Sequence, residues 1–344
     1  MLKRILSYVN ILRAVYYLCH NKFLFCSWKN IPPFFPFTFD NLTINKSFLF
    51  DSFSEKWENL IYGLDRKSLE VIWRHLTASL SYQTIRRKPF FFDLYQFLDE
   101  DISEKIRQDP YLAKREAQKL NFPAKMLTWE YSCVYFHHGL KFVSQSVLDY
   151  IKEKAFIDAG ACHGESSAFL TRYNPAKIYA FEISNLNIQT IRGNLSKSSI
   201  SDELVQIVPM GLGSTEVEIA FDDTQNQSCS LLSQNSTSNA KAKITTLDLF
   251  SKHIPFKIGF IKADVEGFGF EMVKGMVATL KRDRPVLSLC IYHNTDEFWE
   301  IKPFIESLNL NYYFEIRHYA ENWLSEIVLF GCPSELLQKQ QLNP

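Results

Sequence analysis

The residues best placed to do chemistry lie in three short stretches. The first, FIDAGACHG at 156–164, runs from a short apolar strand into Asp158. It then bends through the small residues Ala159, Gly160 and Ala161 and passes Cys162 to reach Gly164, after which Glu165 opens a helical pattern. A bend of small residues lets backbone come close to a ligand, and the amides at a helix start face the same spot. The second stretch, KIYAFE at 177–182, is another strand, and it closes on Glu182. A carboxylate ending the strand next to such a bend can accept both hydrogen bonds of a ribose diol. Bend and carboxylate together predict a site for a ribose-bearing cofactor at the switch point of a parallel sheet.

Which cofactor follows from what is missing. A dinucleotide fingerprint, G-x-G-x-x-G, needs its middle glycine for close approach to a pyrophosphate, and here that position holds Cys162. This disfavours a nicotinamide-dependent oxidoreductase. No G-K-[ST] follows, so a phosphate-cradling loop is excluded as well. A ribose partner without a pyrophosphate cradle suits S-adenosylmethionine, which carries no phosphate.

The third stretch is IGFIKADVEG at 258–267, a buried strand followed at once by Asp264 and Glu266. Charged side chains at the carboxyl end of a parallel strand sit over the cleft where doubly wound sheets bind ligands. The same two residues could instead cap and charge the next helix, for about 1 kcal/mol together. A further strand at 285–291 ends on Tyr292, His293 and Asn294. His137 and His138 are adjacent, and on a strand neighbours point to opposite faces, so they do not share one metal; one of them could line the cleft.

These stretches need elements to hold them. The chain has 344 residues, enough for one large domain or two, and its 38 basic residues balance 38 acidic ones. No basic run marks a nucleic-acid partner. Seven scattered cysteines, at 19, 26, 133, 162, 229, 290 and 332, include no C-x-x-C pair, which fits a reduced, cytoplasmic chain. Residues 1–30 read as an amphipathic helix interrupted by Arg13, too short to span a membrane and without a cleavage pattern. It either packs on the body of the protein or lies on the inner membrane surface through residues 1–28. IPPFFPF at 31–37 is a linker or extended strap, and 38–125 reads as mostly helical, with segments at 54–64, 67–80 and 101–120.

From 126 onward helices and strands alternate. The spacing predicts a strand near 131–135, a turn at 137–139 and a helix at 146–152 ahead of the strand at 156. A helix at 185–195, a strand at 204–208, an antiparallel addition at 216–221, a polar loop at 224–239 and a strand resuming at 243 follow. The chain closes with a helix at 298–308 and strands at 312–317 and 326–330. The expected organisation is an extension at 1–125, a catalytic domain at 126–335 and a tail at 336–344.

With these segments placed, the chain resembles the FkbM-type methyltransferases over roughly 130–332. The likeness rests on FHHGL (136–140), FIDAGA (156–161), YAFE (179–182), TLD (246–248), IKADVEG (261–267), IYH (291–293) and FW (298–299). It departs at Cys162 and His163, where the family more often has an asparagine or aromatic and then an aliphatic residue. The resemblance implies an α/β class I methyltransferase fold, Rossmann-like, with a mostly parallel seven-stranded sheet between helices and a final antiparallel hairpin. It also implies S-adenosylmethionine as methyl donor and a sugar hydroxyl of a surface glycan as acceptor. Carried over residue by residue, Asp158 and the turn from Gly160 to Gly164 would line the methionine end. Glu182 would hold the ribose, and Met210 with Gly211 would lie beside the adenine. Alignment of acceptor oxygen, methyl and sulfur supplies much of the acceleration in such a displacement, and a base helps remove the hydroxyl proton. His293, which titrates near neutrality, and Asp264, which would need a raised pKa or a divalent metal, are the candidates, with Glu266 beside them. A binding or scaffold protein that keeps the fold without transfer is the rival reading.

Overall fold

A computed structural model of the chain describes residues 53–85, 112–123, 134–221, 240–319 and 325–337. The expected helix at 1–30, the strap at 31–37 and the polar loop at 224–239 lie outside the described residues. In chain order the helices are α1 (Phe53–Ile61), α2 (Arg66–Ile85), α3 (Leu112–Leu120), α4 (Gln145–Ile151), α5 (Glu165–Leu170), α6 (Asn185–Lys197), α7 (Leu247–Phe250), α8 (Gly269–Lys274), α9 (Val277–Asp283) and α10 (Thr295–Ser307). The strands are β1 (Ala155–Ala159), β2 (Lys177–Phe181), β3 (Val205–Val208), β4 (Gly211–Leu212), β5 (Val217–Phe221), β6 (Ala240–Thr245), β7 (Ile258–Ala263), β8 (Val286–Cys290), β9 (Tyr312–His318) and β10 (Ile327–Pro333).

Seven strands form one sheet in the order β3-β2-β1-β7-β8-β10-β9. The first five in that order pair in parallel, and β10 runs antiparallel to both β8 and β9. This is the class I methyltransferase sheet expected from the sequence. Its central strands are covered on both faces, which is why β1 and β7 are buried at every position and read as apolar runs, broken only by Asp158 and Lys262, instead of alternating ones. Because the strands are parallel, Gly160, Glu182, Asp264 and the residues after Cys290 all emerge at one edge.

Two expectations are corrected. The strands at 217–221 and 240–245 do not join the main sheet; β5 and β6 pair antiparallel, β4 pairs parallel to β6, and the three form a separate small sheet. Of the strand predicted at 131–135, residues 131–133 lie outside the described residues, while Val134 and Tyr135 are not extended and lead into the turn expected at 137–139, which takes 3₁₀ geometry over His137–Phe142. There His137, His138 and Gly139 take positive φ in succession, so His138 and Gly139 turn inward and are buried.

The helices α1 and α2 pack into the same core as the sheet. Phe53, Leu60, Val71, Ile72 and Leu76 join one apolar cluster with Phe298, Trp299, Ile316 and Leu329. Polar contacts fix the fit: the amide of Ile316 donates to Ser68 Oγ at 2.8 Å, and Arg317 reaches Asp65 at 2.7 Å. Lys302 is buried in α10, where it donates to the carbonyl of Tyr62 at 2.7 Å and pairs with Glu306 at 2.7 Å. No helix among the described residues is long and apolar enough to cross a membrane.

Candidate active site

Asp158 and Lys262 face each other across β1 and β7, in register. Asp158 has no exposed surface, its Oδ2 accepts from Ser167 Oγ at 2.6 Å, and its Oδ1 lies 3.2 Å from Lys262 Nζ. Lys262 also donates to the Gly160 carbonyl at 2.7 Å, so one ammonium holds both the carboxylate and the start of the bend. Burial works against its charge, but the carboxylates of Asp158 and Asp264 win and raise its pKa. The sequence reading passed over Lys262; its signal was a lysine inside an otherwise apolar strand.

The bend itself is built by packing. Gly160 has φ +77°, and a Cβ there would lie 1.8 Å from the carbonyl oxygen of Asp264. The glycine is therefore demanded by the neighbouring loop, a different reason from the ligand approach expected from sequence. Ala159, Ala161 and Gly164 are buried with Asp158 as the frame of the site, whereas Gly160, Cys162 and His163 keep some exposure.

Glu182 is buried, and its carboxylate accepts three backbone N–H groups, from Cys162 at 2.9 Å, Ile183 at 2.8 Å and Ser184 at 2.9 Å. The contact to Cys162 ties the end of β2 to the bend after β1. The Asn187 side chain also hydrogen-bonds this carboxylate, so its roughly four lone-pair directions are engaged, and a ligand hydroxyl must displace one of these donors. Burial lifts its pKa, and the three amides restrain the rise. Met210 and Gly211 follow β3 at the same edge; a Cβ on Gly211 would lie 3.3 Å from Ile183, which places this pair beside the Glu182 loop.

Asp264, Glu266 and His293 come together from two loops. His293 Nε2 lies 3.1 Å from Asp264 Oδ1 and 3.8 Å from Glu266 Oε2. Asn294 joins the loops: its Nδ2 donates to the Gly267 carbonyl at 2.7 Å, and its Oδ1 caps α10 by accepting from Glu297 N at 2.9 Å. Behind the ring, Glu297 Oε2 lies 2.9 Å from His293 Nδ1, and its Oε1 accepts from Gly269 N at 2.7 Å. Glu297, four residues after His293 and one turn along α10, was missed in the sequence because both ends of its contact depend on the loop fold.

The electrostatics of this cluster change one expectation. Burial would lower the pKa of His293, but Glu297 and Asp264 raise it well above the ordinary value, so the ring carries its proton at neutrality and does not titrate there. Asp264 is the opposite case. Burial would raise its pKa, yet His293 and Lys262 hold it down to about 2, leaving an ionised acceptor. Burial, with Asp264 and Glu297 adding to it, lifts Glu266 to about 7. His138 Nε2 is buried without a hydrogen-bond partner, and its ring feels the charges of Lys262 and Asp264.

Glu165, at the start of α5, supplies a pH test. Burial lifts its pKa from 4.5 to about 7, with Asp158 adding to the rise and Lys262 opposing it. A raised carboxyl favours the fold fully below its unfolded value and loses that contribution as pH climbs through the folded one. Stability is therefore expected to fall between pH 4.5 and about 7 on this account. Glu165→Gln should flatten that slope in thermal melts across the window, and an unchanged slope would show that the burial of Glu165 does not govern it.

Comparison with known proteins finds one family match and several similar solved structures. The model of the methyltransferase FkbM domain matches residues 158–326, inside the span read from the motifs. Among solved structures, the methyltransferase FkbM of Methylobacillus flagellatus is similar at 20% identity over 67% of this chain, with a TM-score of 0.45. The match takes in 60% of that protein, so this chain aligns with less than two thirds of its length. An O-methyltransferase of Bacillus cereus, solved in complex with SAH, aligns at 11% identity over 76% of this chain and all of its own (100%), with a TM-score of 0.36. Fibrillarin of Aeropyrum pernix, with natively bound S-adenosyl-L-methionine, aligns at 9% identity over 57% of this chain and 72% of its own, with a TM-score of 0.34. No curated protein sequence matches the chain.

Proposed function

We propose that this chain, a member of the FkbM methyltransferase family over residues 158–326, binds S-adenosylmethionine and transfers its methyl group to a sugar hydroxyl of a cell-surface glycan or its precursor. The observation that carries the reading is the convergence of Glu182, the bend at Gly160–Gly164 and the Asp264–Glu266–His293 cluster at one edge of neighbouring parallel strands. The residues fit the cofactor. Glu182 stands where a ribose diol would replace the Asn187 side chain as its donor, Met210 and Gly211 flank it on the adenine side, and Gly160 and Cys162 form the partly exposed part of the bend toward the methionine end.

When bound, the cofactor supplies an electrophilic methyl on a sulfonium. The chain's task is to hold an acceptor oxygen in line with it and to take the hydroxyl proton as the new C–O bond forms. Glu266, partly exposed and with its pKa lifted to about 7 by burial, is the proton acceptor in this reading. Asp264, held down to about 2, is too weak a base for the role expected of it and instead pairs with His293, which is charged and fixed by Glu297. In this reading the reaction takes place in the cytoplasm.

Calorimetric titration of the purified chain with S-adenosylmethionine is expected to show one site. Methyl-labelled cofactor should then label polysaccharide from a strain lacking the protein. Absence of cofactor binding would overturn the reading as a whole, while binding with label only in non-carbohydrate fractions would overturn the sugar acceptor.

A further inference from the structure

The cluster at the ends of β7 and β8 has a property that methyl transfer by itself does not require. Asp264, Glu266 and His293 each present one donor atom, and the three atoms lie within 4.8 Å of one another. The His293 side chain is only 8% exposed, and its Nε2 points into the cluster. Nε2 lies 3.1 Å from Asp264 Oδ1, within ion-pair reach, but neither buried atom makes a hydrogen bond of normal geometry. A buried ring nitrogen aimed at two carboxylates without a well-formed hydrogen bond is a polar group that a bound cation would satisfy.

The support behind the ring has the arrangement that metal-binding histidines use. A ligating imidazole commonly donates its other N–H to a carboxylate, which fixes the tautomer and aims the free nitrogen. Glu297 has no exposed side chain and sits 2.9 Å from His293 Nδ1. Glu297 is anchored in turn by the amide of Gly269 at 2.7 Å, so the ring is held from behind and open in front. The neighbouring ammonium of Lys262 does not occupy the front, because it is spent on Asp158 and the Gly160 carbonyl.

We infer that Asp264, Glu266 and His293 form a binding site for one divalent first-row metal ion of the manganese-to-zinc class. Two carboxylates alone would suit magnesium or calcium; the imidazole shifts preference toward the transition metals. Metal binding is a property of these three side chains and stands apart from the cofactor assignment. Its use in catalysis, lowering the pKa of a coordinated acceptor hydroxyl, rests on the methyl-transfer reading.

The test uses the full chain and Mn²⁺ as probe. Titration followed by the loss of the free-ion electron paramagnetic resonance signal is expected to show one tight site. Pulsed spectra of the loaded protein should show coupling to a single imidazole nitrogen. Glu266→Gln is expected to raise the Kd for Mn²⁺ about tenfold or more, by analogy with the penalty for losing even an outer-shell partner. Absence of stoichiometric binding, absence of nitrogen coupling, or an unchanged Kd in Glu266→Gln would each overturn the inference. The nitrogen readout needs no variant, so a folding defect in Glu266→Gln leaves the test decisive. Titrating S-adenosylmethionine separately, in the presence of a chelator, distinguishes failure here from failure of the cofactor reading.

Discussion

Lys262→Met is expected to lower the stability of the fold by about 3–5 kcal/mol, the usual cost of removing one partner from a buried ion pair. Asp158 is fully buried, and the ammonium 3.2 Å from its Oδ1 is the cation that compensates it. The same ammonium satisfies the carbonyl of Gly160 at 2.7 Å and approaches that of Ala159 at 3.4 Å, so the change also strands backbone acceptors. Met fills the volume and leaves the charge problem alone, which makes the loss electrostatic in origin. Adding Asp158→Asn should recover much of the stability, because a neutral amide can keep Ser167 without needing a counter-ion. Denaturant unfolding of the two single variants and the double measures the coupling. A Lys262→Met protein within 1 kcal/mol of the original, a loss ordinary for a surface change, would mean that Asp158 is not the charge the lysine is there to hold.

This pair also shows where sequence reasoning stops. The parallel strands were legible because burial on both faces turns each into a short apolar run, and the residue just after each run meets the cleft: Gly160 after β1, Glu182 after β2, Asp264 after β7; Asp158, expected to line the methionine end, is instead fully buried and held by Ser167 and Lys262. That Asp158 lies opposite Lys262 was not legible, since it depends on β1 being placed beside β7 in one register among several. The same holds for Gly160. Its small size was visible, but its reason, a carbonyl of Asp264 that would lie 1.8 Å from a Cβ, belongs to the neighbouring loop. The turn at 137–139 was legible, but not that it sets His137, His138 and Gly139 at positive φ in succession, because that depends on the packing around it. The charge state of His293 was hidden because Glu297 and Asp264 reach it from different segments, and together they outweigh burial.

Glu182→Ala should weaken S-adenosylmethionine binding about a hundredfold, close to 3 kcal/mol at tenfold per 1.4 kcal/mol. In the proposed complex the carboxylate accepts from the ribose diol, and each hydrogen bond to a charged acceptor contributes about 1.5–3 kcal/mol. A second loss adds to this. Cys162 N, Ile183 N and Ser184 N all donate to this carboxylate, so alanine removes the tie between the end of β2 and the bend after β1 and loosens the site before any ligand arrives. Glu182→Gln separates the two effects, because its amide keeps one acceptor oxygen and offers an N–H where the backbone also offers N–H groups. Its affinity should fall between those of the original and Glu182→Ala. Calorimetric titration gives the Kd, and thermal melting without cofactor gives the structural share. If Glu182→Ala melts lower yet binds within threefold of the original, well short of the loss of one charged hydrogen bond, the carboxylate serves only the bend. The ribose must then be held elsewhere, and Asn187, whose side chain also interacts with Glu182 from the first turn of α6, is the residue to change next.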